Sequence, residues 1–166
     1  QGTMPGENLG GVSFFHPAQT VTRSDFFAMA TAAAELPVEA TAKTDFADDS
    51  GLSGWAKPFV STAAANGLVS GYQTASGLSE IRGQNPITLA EASVIVNNLL
   101  DSTWDGTQYA LAGEHAAEMD WAQSAVSSLT RLDVLSPLAS MRGEDEPITR
   151  QTACEMLYRT MQLMRS

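Results

Sequence analysis

The chain has one cysteine, two histidines and nine lysines and arginines among 166 residues, and each shortage closes off a class of function. A lone thiol, Cys154, builds neither an internal disulfide nor a thiolate zinc or redox site. Set among Ala153, Met156 and Leu157, it reads as a buried structural thiol. His16 and His115 are far apart, with no third ligand at a recognisable spacing, so neither a metal nor a cofactor is expected. Nine cations against 19 acidic residues leave a net charge of -10, which disfavours nucleic acid, because phosphate binding needs clustered Lys and Arg. No run reaches the roughly 18 consecutive apolar residues of a membrane span. No leader of charged, apolar and then small residues opens the chain, and Gln1 in place of Met points to a processed chain or to one trimmed for expression. Neither a Gly-x-Ser-x-Gly elbow nor a Cys-His motif occurs, so nucleophilic catalysis has no support. The loop carboxylates Asp48-Asp49 and Glu144-Asp145-Glu146 read as solubilising, and no enzyme is expected.

What is present is a hydrophobic content of 43%, enough for one domain with a sizeable core or a tight array of repeats. Gly-rich residues 1–11 read as a loop or arm, with order beginning near Val12. Thr22 with Asp25 resembles a capping box opening a helix over 23–35, which ends before Pro37. Residues 37–54 read as a linker whose acidic turn, 45–51, lacks the alternate-residue pattern and distal Glu of a calcium loop. A helix is expected over 55–67, with Pro58 in its first turn and Gly67 as its stop. A polar loop then reaches Arg82. Thr88 with Glu91 forms a full capping box for a helix to about Leu100. After a linker over 101–113, helices are expected over 114–132 and from Thr149 nearly to the end.

These elements repeat. Thr22 falls on Thr88 with a shift of 66, and Trp55-Ala56 falls on Trp121-Ala122 with the same shift of 66. The next loop is shorter in the last copy, so Arg82 pairs with Arg142 at a shift of 60 and Thr88 with Thr149 at 61. The apolar positions of the capped helices register as well: Phe26, Ala92 and Ala153; Met29, Ile95 and Met156; Ala30, Val96 and Leu157; Ala34, Leu100 and Met161. Within each helix these positions fall at i, i+3, i+4 and i+8, one face, so three copies packing their stripes around a pseudo-threefold axis is the expected architecture, all-α throughout.

The motifs resemble the S-layer homology domain. The middle copy supplies Asp45-Phe46-Ala47-Asp48, Trp55-Ala56-Lys57-Pro58, Gly67-Leu68-Val69-Ser70-Gly71-Tyr72 and Pro86-Ile87-Thr88-Leu89-Ala90-Glu91. The first copy keeps Phe15-His16-Pro17 and Val21-Thr22-Arg23-Ser24-Asp25, and the third keeps Trp121-Ala122, Arg142-Gly143 and Pro147-Ile148-Thr149-Arg150. The resemblance implies a single domain, 1–166, of three helix-loop-helix repeats: a truncated first repeat over 1–36, a second over 37–101 and a third over 102–166. It implies a module on the outer surface of a bacterium, binding a cell-wall polysaccharide, often a pyruvylated one, in grooves between repeats. Arg is a principal glycan contact in that family, a role that passes to Arg23 and Arg150. Leu89 takes the matching place in the middle copy, which is expected to act as scaffold with one groove short of its cation. The first copy also lacks a Trp-Ala helix, so another segment or chain is a candidate to complete it.

The residues themselves add a physical argument for the arginines. A cation at a helix start is unfavourable by about 0.3–1 kcal/mol, so a structural role does not ask for Arg there. An anion held jointly by the guanidinium and the free helix amides would ask for it. Trp55 and Trp121 are suited either to stacking on sugar rings or to plugging the core, and both readings stand. Tyr72, beside Gly71, lines a groove or caps the core. Lys57 reads as a solvated charge, and Arg82 and Arg142 as partners for acidic turns. The function expected is a non-catalytic carbohydrate-binding anchor. The alternative is a degenerate repeat module that mediates protein assembly without binding glycan.

Overall fold

Helices begin where the threonine caps place them. The computed structural model describes residues 7–9, 12–14, 16–103, 121–136, 139 and 142–166. Its five helices among the described residues are α1 (Arg23–Ala33), α2 (Lys57–Ala65), α3 (Leu89–Thr103), α4 (Trp121–Arg131) and α5 (Arg150–Met164). At α1 the Thr22 hydroxyl accepts the Asp25 N–H at 3.2 Å while the Asp25 carboxylate accepts the Thr22 N–H at 3.2 Å. Glu91 and Thr88 exchange the same two bonds at α3, at 3.0 and 3.2 Å. At α5 only half the box forms, Thr149 accepting from the Thr152 N–H at 3.3 Å, because the third copy has no acid at that place. Caps of this kind are worth about 1 kcal/mol each.

The helix ends differ by a few residues from those the sequence suggests. α1 stops two residues before Glu35, which takes a left-handed turn (φ 54°). α2 starts at Lys57, leaving Trp55 in the turn before it, and Gly67 (φ 71°) closes its end. Residues 114–120, expected to open the fourth helix, lie outside the described residues. The molecule is mostly helical, but two short ribbons replace stretches read as loop. Glu7–Leu9 (β1) pairs antiparallel with Val12–Phe14 (β2), and Tyr72–Gln73 (β3) with Ser79–Glu80 (β4). Strands of two or three residues are too short to leave an alternating pattern in the sequence.

The three capped helices touch one another pairwise, with α2 packed on α1 and α4 on α3. Their registered stripes form the core: Phe26, Ala92, Ala153, Met29, Ile95, Met156, Ala30, Val96 and Leu157 are all buried, and Ala34 and Met161 sit at its margin.

A closed ring of backbone hydrogen bonds joins the three helix starts. Val21 N–H donates to the Ile148 carbonyl (3.2 Å), Ile148 N–H to Ile87 (3.0 Å) and Ile87 N–H to Val21 (2.9 Å). All three side chains are buried. Around this ring the first amide of each capped helix donates to a neighbouring copy: Arg23 to Asn85, Leu89 to Glu146 and Arg150 to Gln19, at 2.9, 3.0 and 2.8 Å. The second amides follow, Ser24 to Gly83, Ala90 to Glu144 and Gln151 to Pro17. The loop leading into each start closes on itself through Gln19 to His16, Asn85 to Arg82 and Glu146 to Gly143. By these bonds Gly143, and not Arg142, stands where Arg82 does, which corrects the sequence alignment by one residue.

Candidate functional site

The acidic turn ahead of α2 is consumed by the fold. The two carboxylate oxygens of Asp48 accept the N–H groups of Ile81 and Arg82 at 2.9 and 2.7 Å, pinning the end of the β3–β4 ribbon. Asp49 accepts from the Thr44 N–H and hydroxyl at 2.6 and 2.9 Å and from Lys57 Nζ at 2.8 Å. The Lys57 ammonium and these Thr44 bonds hold the Asp49 carboxyl down at about 2. Lys57 is therefore a tether rather than the solvated charge expected of it. Among the described residues no group of three or more His, Cys, Asp or Glu side chains could hold a metal, and no helix is long and apolar enough to cross a membrane.

With that ribbon fixed, the chain after α2 leans over the starts of α1 and α3 and leaves an open pocket of about 450 Å³. Arg23, Gly71, Tyr72, Glu91, Ile95 and Asn98 are among its lining residues. Arg23 is only 4% exposed. Its Nε donates to the Ile81 carbonyl at 2.8 Å, and its Nη1 donates to the Tyr72 hydroxyl at 3.3 Å and pairs with Glu91 Oε1 at 3.0 Å. The guanidinium also lies over the rings of Phe27 and Tyr72, 5.6 and 4.9 Å from their centroids. Burial lowers its pKa, and Glu91 opposes that shift, so the group keeps its charge. Arg82 lies over the same Tyr72 ring at 4.5 Å, and its side chain pairs with Glu80 of β4 at 3.2 Å rather than with an acidic turn.

The sequence-derived candidates divide. Arg23, Gly71 and Tyr72 come together at this pocket, whereas Trp55 does not line it. Trp55 is 51% exposed before α2, its ring 6.3 Å from that of Phe59, so it does not plug the core. Trp121 opens α4, and its side chain lies outside what is described. Arg150 is half-buried at the first position of α5. Gly71 is there for its backbone: at φ 76° a Cβ would stand 2.8 Å from both the Glu80 carbonyl oxygen and Phe46. Cys154 packs half-buried against the core, and burial raises its thiol pKa.

Two expectations are corrected. The amides that were to share an anion with each Arg are already bonded: Arg23 and Ser24 to Asn85 and Gly83, Asp25 to the Thr22 hydroxyl, and likewise Arg150, Gln151 and Thr152 to Gln19, Pro17 and Thr149. The middle-copy helix is more than scaffold, for although Leu89 is wholly buried, Glu91, Ile95 and Asn98 of α3 form one wall of the pocket. Glu91 was legible only as a cap. Its second bond, to Arg23, follows from the neighbouring copy's position, and Asn98, which donates to the Leu68 carbonyl at 3.2 Å, carried no motif at all.

Comparison with curated proteins finds no match. Residues 45–93 match the family model described as the S-layer homology domain, a stretch that holds the pinned acidic turn, α2, the β3–β4 ribbon and the Thr88–Glu91 cap. Domains of that family generally anchor proteins to cell-wall polymers, which implies association with the cell surface or wall. Residues 45–93 are therefore consistent with an S-layer homology domain.

Proposed function

We propose that the chain is a non-catalytic anchor that holds a secondary cell-wall polysaccharide in the pocket beside Arg23. The observation that carries this reading is the coincidence of the pocket with the family-matched segment: Gly71, Tyr72 and Glu91 all lie within 45–93. We take the whole of 1–166 as three repeats, divided at 36/37 and 101/102, about a pseudo-threefold axis. The ring through Val21, Ile87 and Ile148 supports that arrangement. Arg150 and the two tryptophans remain ligand candidates of the same proposal, Trp55 as an exposed stacking surface away from the pocket. A pyruvylated polymer would bring carboxylates to a groove where Glu91 already stands.

The test is co-sedimentation of the full chain with purified bacterial cell walls, untreated and after chemical removal of the secondary polysaccharide. Retention on untreated walls only, reduced about tenfold or more by Tyr72→Ala, is expected. Equal retention on both preparations overturns the glycan reading. One observation favours the assembly alternative: among the described residues α5 carries no helix packed on it as α2 is on α1 and α4 on α3. Absence of retention on either preparation is the outcome that reading expects.

A further inference from the structure

Among the described residues α5 is the capped helix left without a helix packed on its outer side. With Thr22, Thr88 and Thr149 aligned, the place of Tyr158 is held by Thr31 in α1, wholly buried, and by Asn97 in α3, half-buried. Tyr158 is 62% exposed. It stands in a row with Glu155, Gln162 and Arg165, on the side of α5 turned away from the buried Met156, Leu157 and Thr160. We propose that a second copy of the chain docks on this row, its α5 lying antiparallel to the first across a two-fold axis.

The order of the four side chains selects that occupant. Their spacing of three, four and three residues keeps them in one line along the helix. The line is symmetrical about its middle, because the midpoint between Glu155 and Arg165 is also the midpoint between Tyr158 and Gln162. Turned end over end onto a copy of itself, it sets Glu155 against Arg165 and Tyr158 against Gln162, and the two-fold makes each pairing twice. Acid meets base at both ends, with aromatic and amide groups between them. A parallel pairing sets each residue against itself and is repelled at both ends. The corresponding places in the other two copies hold Ala28, Thr31, Glu35 and Val38, and Val94, Asn97, Asp101 and Trp104, neither of which has an acid at one end and a base at the other.

The charged ends can take new partners. Arg165 pairs with Glu35 at 3.1 Å, but both side chains are largely in water, where such a bridge is weak. Glu155 shares Arg159 with Asp133, at 3.0 Å each, so two acids draw on one guanidinium. At the centre the Tyr158 hydroxyl accepts from Gln162 Nε2 at 3.0 Å, which orders the middle of the row before docking. An open hollow beside the row, about 660 Å³ and lined in part by Leu132 and Leu163, gives the facing side chains apolar surface to cover. One helix laid on one helix is a small interface, so the dimer is weak, with a Kd on the order of 100 µM. Chains gathered on a common surface meet at higher local concentration, and there a dimer joins two anchors into one assembly. The docking does not depend on what the Arg23 pocket binds.

The experiment is sedimentation equilibrium of the full chain from about 10 µM to about 1 mM at about 0.15 M salt, where repulsion from the net charge of -10 is screened beyond about 8 Å. The apparent mass of the wild type is expected to rise across that range toward that of two chains. Glu155→Arg and Arg165→Glu each put like charges at both ends of the row, and each alone should raise Kd about tenfold or more. An equimolar mixture of these two variants faces arginine with glutamate at both ends again, so it should associate within about threefold of the wild type. Tyr158→Ala, which empties the centre, should weaken association about fivefold or more. Circular dichroism should show the same helix content throughout. The proposal is overturned if the wild type stays monomeric up to about 1 mM, if either charge reversal alone associates as well as the wild type, or if the mixture of the two does not associate. None of these results bears on retention by cell walls, so failure of the dimer and failure of the anchoring reading are told apart.

Discussion

Residues in and around the pocket do two jobs at once, and the sequence exposed one of each pair. Arg23, Gly71 and Tyr72 were legible because they stand in motifs. The burial of Arg23, its bond to the Ile81 carbonyl and its pairing with Glu91 were not, since they join residues far apart in the chain. Gly71 was a groove candidate from its place beside Tyr72, but its φ of 76° and the closeness of the Glu80 carbonyl make it a backbone requirement. Gly71→Ala should cost at least about 1–2 kcal/mol for the left-handed backbone alone, with the clash adding to it. Urea unfolding measures that loss, and a change below about 0.5 kcal/mol would contradict the geometry.

Among elements, helices announce themselves through caps, whereas loops do not. The boxes at Thr22 and Thr88 and the half box at Thr149 fix three helix starts from local chemistry, and all three lie where the sequence places them. The segment from Thr44 to Lys57 has no such signature, yet Asp49 ties both its ends. Because the Asp49 pKa falls from 3.8 to about 2 on folding, the native state holds its proton less tightly than the unfolded chain does. Its stabilisation is complete above that unfolded value of 3.8 and is lost as pH falls through the folded value. Thermal melts of wild type and Asp49→Asn over about pH 5 to 2 should therefore converge toward the acid end, the variant lacking this contribution throughout. A constant gap across that range would show that the carboxylate's charge is not what holds the loop.

At the scale of the whole molecule, stability rests on the three helix starts being joined. Ile87 is wholly buried, and its N–H and carbonyl both belong to the ring. Ile87→Ala keeps the backbone bonds but leaves a cavity, at an expected cost of about 2–5 kcal/mol, a large share of the roughly 5–15 kcal/mol typical of a domain. Unfolding should stay a single transition when followed by both circular dichroism and tryptophan fluorescence, since no copy's stripe is buried without the others. Two separated transitions would mean that the copies fold independently. The sequence by itself determined the caps, the apolar stripes and the recurrence of both, because capping and amphipathic period are local properties of neighbouring residues. Only the tertiary structure decided which amide meets which carbonyl across the copies, that Arg23 is balanced by Glu91, and that α3 walls the pocket it was expected merely to support. Those pairings depend on how separate segments approach one another, and no local pattern encodes that distance.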